Sequence, residues 1–302
     1  MDKVISLMPG KVTILGYHHI YNEKMMSERL GFYPDFEMNE SDFINEIEQL
    51  LALDVDFVDM NLISNKNLSL NKPSVAITFD DGFSNYLDIA LPILEKRGIP
   101  SCVYITTGYP DGEIVHVAGI LHDLILKQKH VNLLVEGQCY SESCSGIEEK
   151  KAAYETLVSV LDKCAYSLRD MKQVFESNGI DTERYRSFSL SWDQIRQLDK
   201  HPLVTIGAHT VTHPNLTRLS DKLARQEITQ SIMRLNDNGI AVSHFSYPYG
   251  CYGAREVHLC HQVGMKSAVT IDPLAEEGEM FALPRRLSNG QREFVIAEKA
   301  LS

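Results

Sequence analysis

The 302-residue sequence has no CxxC pair, no long uninterrupted apolar run, one tryptophan, and fewer basic than acidic residues. Each shortage excludes something. Cysteines stand at positions 102, 139, 144, 164, 251 and 260. Cys139 and Cys144 have no second pair to complete a closed zinc site, so they read as free thiols. A chain this long needs no disulfide staples. The opening MDKVISLMPGKVTILGYHHI is broken by Pro9, Gly10 and Lys11 before an apolar h-region can form, and no stretch is long enough to span a bilayer. The expected location is cytoplasmic, at a membrane surface only through the substrate. With 29 Lys+Arg against 41 Asp+Glu, the net charge of −12 repels phosphate backbones, so nucleic acid is not an expected partner.

What is present is ordinary for a globular α/β protein: 44% hydrophobic residues supply a core, beside 23% charged residues. Short apolar or β-branched runs at Val12–Leu15, Val75–Thr78, Cys102–Thr106, Val204–Ala208, His244–Ser246 and Ser267–Ile271 read as buried strands. Helical spacing follows Phe43, with Ser41 as the expected N-cap. It recurs over Leu87–Arg97, which ends at Gly98 and Pro100, and over Leu219–Asn238 between Ser220 and Gly239. This alternation implies parallel strands joined by helical crossovers. Residues 113–190 break the rhythm. They read as a mainly helical insertion in a single domain spanning 1–302, clearest at Ile120–Lys127 and Glu148–Phe175, with Gln138–Gly146 as a polar loop. The insertion either shapes a substrate cleft or merely covers a sheet edge or mediates dimerisation.

Reactive residues gather where strands end. Tyr17-His18-His19 follows the first run, Asp80-Asp81-Gly82 the second, His209 the fourth, and Tyr247-Pro248-Tyr249-Gly250 the fifth. Parallel α/β folds place active sites at such ends. Adjacent carboxylates repel, and on a continuous strand they point to opposite faces. Gly82 allows a turn that brings both to one site, although Asp-Asp-Gly is also good chemistry for a plain solvated turn. His209 and His213 are four apart, a helical spacing, but Pro214 biases His213 towards a loop. Together, Asp81, His209 and His213 make a three-ligand set with a position left for water, the pattern of a catalytic metal site.

TFDDG at 78–82 and HTVTH at 209–213 resemble the first two motifs of the polysaccharide deacetylases, the NodB-homology group or carbohydrate esterase family 4. Pro248-Tyr249-Gly250 resembles part of the third, and the resemblance runs from about Lys11 to Arg286. It implies a distorted (β/α) barrel and a hydrolase that removes an N-acyl group, acetyl first, from an amino sugar. Asp80 matches the catalytic base, and Asp81, His209 and His213 match the ligands of one divalent metal. That metal is zinc first, with cobalt, nickel or manganese as alternatives. The backbone N–H of Tyr249 matches an oxyanion contact.

Two departures stand out. The family's arginine before Pro-Tyr-Gly is replaced by Ser246-Tyr247, leaving Arg285 or Arg286 to supply that charge or to be plain surface residues. The late Leu-x-His motif is absent, and His18 is its candidate substitute, since Tyr17-His18 resembles the opening of a subset of the family. Trp192 reads as packing its own helix, with stacking on a sugar as the alternative. His19 reads as structural. Two other readings stay open: a deformylase or amidohydrolase on a small amide, and a non-catalytic metal- or glycan-binding protein. The sequence names neither sugar, acyl group, linkage nor oligomeric state.

Overall fold

Short parallel strands that are apolar on both faces are buried either in an open sheet between helix layers or, with no edge left over, in a tube closed on itself with helices outside. A computed structural model, which describes residues 4–27, 37–64, 70–164, 167–272, 275 and 279–297, has the closed form. The strands are β1 (Val12–Tyr17), β2 (Ser74–Phe79), β3 (Ser101–Ile105), β4 (Val204–Ala208), β5 (His244–Ser246), β6 (Ser267–Thr270) and β7 (Leu283–Leu287). Each pairs in parallel with the next in sequence, and β7 pairs with β1 to close the barrel. The barrel is distorted: β4 and β5 share one register pair, Ala208 with Phe245. A two-residue strand, Asp56–Phe57, adds to the start of β2. Strand β7 was not among the runs read as strands, because Pro284, Arg285 and Arg286 interrupt its apolar pattern.

The period-2 alternation splits the strands between two cores. Ile14, Ala76, Cys102, Tyr104, Val269 and Leu283 pack with one another, while Leu15, Val75, Ile77, Val103, Ile206 and Phe245 pack with the helices. Two close approaches inside the barrel require glycine. A Cβ on Gly207 would lie 2.4 Å from the Tyr104 ring, and one on Gly16 would lie 3.0 Å from Leu287 and 3.7 Å from the Arg285 guanidinium. Gly207 makes room for a large aromatic ring within the barrel, and Gly16 for the Leu287 side chain.

The helix Glu40–Ala52 is capped by Asn39, whose side chain accepts from the Asp42 N–H, and not by Ser41 as expected. It buries Phe43, Ile47 and Leu50 on one face. Helical structure expected over Leu87–Arg97 begins as a π turn, Tyr86–Ala90, and continues as a short α-helix, Leu91–Glu95. The third expected helix runs Asp221–Asp237 with Ser220 as N-cap. Within 113–190 the helices are Val117–Lys127, Ile147–Cys164 and Leu168–Ser177. The expected Glu148–Phe175 helix is therefore two, and residues 165 and 166 between them lie outside the described set.

Gln138–Gly146 is not simply a loop. Gln138–Ser143 pairs antiparallel with His130–Val135 across a Glu136-Gly137 turn in which both residues have positive φ, 50° and 82°, as a two-residue hairpin turn demands. Its mostly polar, solvent-facing side chains hid it. The segment has its own apolar cluster, including Ile120, Leu133, Leu157 and Phe175. Among the described residues no helix is long and apolar enough to cross a membrane.

Gly207→Ala is expected to lower stability by about 1–3 kcal/mol through overpacking against Tyr104. Thermal unfolding measures this, and an unchanged melting temperature would contradict the packing described.

Candidate active site

Strand β2 continues one residue past Phe79, where the Asp80 N–H donates to Tyr17 O at 3.0 Å. The chain then turns at Asp81 itself, φ 72°, one residue before Gly82, φ 81°. The turn therefore lies within the Asp-Asp pair and brings both carboxylates to one side, as the close approaches of both to His209 confirm. Across the barrel, the His209 N–H donates to Ile105 O at 2.9 Å, and the loop beyond passes through Thr210 and His213, both with positive φ, 65° and 54°. The histidine pair is on a loop, not a helix.

Left-handed backbone at non-glycine residues costs about 1–3 kcal/mol each. Asp81, Thr210, His213 and Tyr249 share it, all beyond the carboxyl ends of strands. The histidine loop is held against this strain from the helix Asp221–Asp237. Glu227 accepts from the N–H groups of Val211 and Thr212, both at 2.9 Å, and from the Thr212 hydroxyl at 2.7 Å. The His213 N–H donates to Thr210 Oγ1 at 3.1 Å.

Asp81, His209 and His213 converge, each offering one ligand atom, all within 4.8 Å of one another. Asp81 Oδ1 lies 3.4 Å from His213 Nε2 and 3.6 Å from His209 Nε2. Tetrahedral donors at about 2.0–2.2 Å from an ion stand roughly 3.3–3.6 Å apart. His209 Nδ1 lies 2.7 Å from Ser246 O. This contact puts the proton on Nδ1 and leaves the Nε2 lone pair for a ligand. Burial pushes His213 down to about 4 and also lowers His209, so both imidazoles are neutral donors. Asp81 Oδ1 is buried with no hydrogen-bond partner among the described residues, and burial raises the Asp81 pKa. A buried acceptor facing two neutral imidazoles fits one divalent cation, which would take up the unsatisfied lone pairs.

Asp80 is treated differently. Arg285 reaches across the barrel and grips it with both nitrogens, Nη1 to Oδ1 at 2.8 Å and Nη2 to Oδ2 at 2.6 Å. Arg285 also donates to Thr78 Oγ1 at 3.2 Å and Ser246 Oγ at 2.9 Å. Burial alone would raise the Asp80 pKa, but the Arg285 charge, followed by His209, outweighs it and holds the carboxyl well below the usual range. Arg286 points to solvent, so Arg285 supplies the charge for which the sequence offered two candidates. His18 Nε2 lies 3.8 Å from Asp80 Oδ2. Burial lowers its pKa, against the opposing pull of Asp80 and Asp81. Tyr249 is 53% exposed and sets its ring 4.7 Å from that of His213, on the rim.

All seven sequence candidates therefore lie at one end of the barrel. Sequence reasoning missed Ser246, Thr78 and Glu227 as supports. Ser246 had a signal: it sits two after His244 on one strand, hence on the same inward face. Glu227 had none: it is a partly buried acid beside Ile228, and its partners lie on a loop that the helix pattern does not reveal. Trp192 packs partly against the core, and its Nε1 donates to Asp111 Oδ1 at 2.7 Å. His19 is a packing residue, stacked on Phe83 at 3.7 Å with Nε2 2.9 Å from His116 Nε2.

The chain is a closed parallel (β/α) barrel whose mouth brings together an Asp/His/His set able to hold a metal ion and a buried Asp–Arg pair. The family model for polysaccharide deacetylases matches residues 67–268, and the chain belongs to that family. A poly-β-1,6-N-acetyl-D-glucosamine N-deacetylase of Staphylococcus aureus is 24% identical over 175 residues, covering 53% of this chain and 60% of that protein. Two solved structures share the fold. IcaB from Ammonifex degensii superposes with a TM-score of 0.60 at 17% identity, covering 94% of each chain. The Streptococcus pyogenes deacetylase PplD, solved with acetate, gives 0.59 at 16% identity, covering 92% of each.

Arg285→Met is expected to cost about 3–5 kcal/mol at neutral pH by leaving Asp80 buried and unpaired. In the wild type the pairing stability is present above about pH 4, the unfolded carboxylate pKa, and is lost as pH falls towards the lower folded value. In the variant burial acts with less opposition, Asp80 takes a proton more readily, and the stability gap to wild type narrows on acidification. Denaturant unfolding at pH 7 and pH 4 measures both; a gap that does not narrow contradicts the pairing. Glu227→Gln, which weakens the hold on the histidine loop, is expected to lower divalent-metal affinity by about tenfold, measured by chelator competition.

Proposed function

We propose that this chain is a metal-dependent hydrolase that removes an N-acyl group, in the first instance acetyl, from an amino sugar of a glycan or glycan precursor. The observation that carries this is the juxtaposition of two differently treated carboxylates. Asp81 faces two neutral imidazoles and fits a cation, while Asp80 is held ionised beside it by Arg285. A binding protein needs the first arrangement but not the second. The family membership and the named activity of the Staphylococcus aureus relative support the same reading.

Asp81, His209 and His213 are the residues that would hold the ion, zinc by preference. When bound, the ion polarises the acyl carbonyl and lowers the pKa of a water towards about 7. Asp80 Oδ2 accepts the proton of the attacking water. Arg285 fixes the direction of that oxygen at the cost of some basicity. His18 Nε2, close to the same oxygen, is placed to receive that proton and deliver it to the departing amine. Its lowered pKa suits it to give the proton up. The Tyr249 N–H supplies the oxyanion contact, and the left-handed backbone there sets its direction.

Acetate release from N-acetylglucosamine oligomers, with and without added divalent metal, tests the proposal. Wild type is expected to release acetate only with metal. Asp80→Asn is expected to lose about 10²–10⁴-fold in kcat while keeping metal affinity. Wild type that binds metal at Asp81, His209 and His213 yet releases no acyl group from any acylated sugar would sink the hydrolase reading.

A further inference from the structure

The loop that carries the histidine pair is bonded along its backbone from three sides. Glu227, on the helix Asp221–Asp237, takes the N–H groups of Val211 and Thr212. The segment after β3 supplies the Thr107 N–H to Thr210 O at 3.1 Å and the Gly108 N–H to Val211 O at 2.9 Å. The third side comes from the 113–190 segment, where the Leu168 N–H donates to Thr212 O at 3.0 Å. Leu168 is the first residue of its helix, capped by Ser167, and such an N–H has no acceptor within the helix. The insertion therefore starts one of its helices against the residue next to His213.

A loop with left-handed backbone at Thr210 and His213 keeps its form only while these three sides keep their spacing. One charged network joins them. Arg234 stands seven residues after Glu227, about two turns along the same helix face. Its guanidinium donates to Asp111 Oδ2 at 2.6 Å and meets Glu113 Oε1 at 2.8 Å, both on the segment that follows Thr107 and Gly108. Glu113 Oε2 accepts from Arg169, the neighbour of Leu168. Lys172, one turn beyond Leu168, donates to Gly112 O at 2.5 Å. Asp111 Oδ1 accepts from Trp192 Nε1, where the insertion returns to the barrel. The four carboxylate and guanidinium side chains are 24–44% exposed. An isolated pair at that exposure contributes little, whereas charges that share partners in a network contribute more.

We propose that this network is a clamp that holds the histidine loop in its ligand-bearing form, with Arg234 as the positioning residue and the 113–190 insertion as one jaw. The insertion thus acts on the metal donors through the loop backbone, from outside the barrel. The consequence for metal affinity rests on the metal-site reading; the hold on the loop does not.

The full chain is compared with Arg234→Met, Arg234→Lys and Arg97→Met. Arg97 pairs with Glu48 at 2.6 Å, apart from these elements, and controls for the loss of a surface ion pair. Amide exchange at Val211 and Thr212, followed by NMR without metal, reads the loop, and zinc affinity by chelator competition reads the donors. Arg234→Met is expected to speed exchange at both amides about fivefold and to weaken zinc binding about fivefold at low salt. Arg234→Lys, which keeps the charge without the fork, is expected to lose less of both. In wild type, exchange at both amides is expected to quicken at about 1 M salt, where the screening length is about 3 Å. Arg97→Met is expected to leave both readouts unchanged. Either readout unchanged in Arg234→Met, in a chain that binds zinc, overturns the clamp. An equal loss in Arg97→Met also overturns it, by marking a general loss of stability, and so does wild-type exchange that salt leaves unchanged. Faster exchange in Arg234→Met, with no zinc bound by wild type, keeps the clamp and overturns the metal-site reading alone.

Discussion

Two adjacent buried carboxylates, Asp80 and Asp81, are the constraint on which the rest of the site depends. Their charges cannot share a dry barrel end without compensation, since desolvation penalises each and their mutual repulsion adds to it. The fold resolves this asymmetrically. Arg285 spans the barrel to neutralise Asp80 with a two-pronged grip, and among the described residues no arginine is paired with Asp81. With His18, His209 and His213 driven towards neutrality by burial, the centre carries one uncompensated negative charge, that of Asp81. A divalent cation would offset that negative charge and satisfy the Asp81 oxygen, which has no hydrogen-bond partner among the described residues.

Packing elsewhere serves this arrangement. Gly207 is bare because Tyr104 needs the space inside the barrel, and Gly16 lies close against Leu287 beside Arg285. Left-handed backbone at Asp81, Thr210, His213 and Tyr249 is energetically unfavourable, yet it turns side chains across the barrel mouth that regular strand geometry would send to opposite faces. Glu227 offsets part of that strain by receiving three hydrogen bonds from the histidine loop. Local strain at the mouth is thus supported by a helix that touches no reacting group.

Much of this was legible in the sequence. Six of the seven barrel strands show as short apolar runs because both faces are buried, and chemistry shows wherever a reactive residue follows such a run. Strand β7 did not show, because it carries Arg285 inward at a position where apolar periodicity expects a hydrophobe. The residue that completes the site thereby hid its own strand. The Gln138–Ser143 strand did not show because it is a polar edge, whose hydrogen-bonding partner the sequence does not reveal. The convergence of Asp80 with Arg285, separated by 205 positions, is a product of barrel closure, which pattern reading alone does not supply.

The most direct test of the central claim is anomalous diffraction from crystals of the full chain grown with zinc. One anomalous peak is expected between Asp81 Oδ1, His209 Nε2 and His213 Nε2, at about 2.0–2.2 Å from each, with Asp80 still gripped by Arg285. A peak ligated by Asp80 instead, or found away from these three residues, would contradict the division of labour between the two carboxylates.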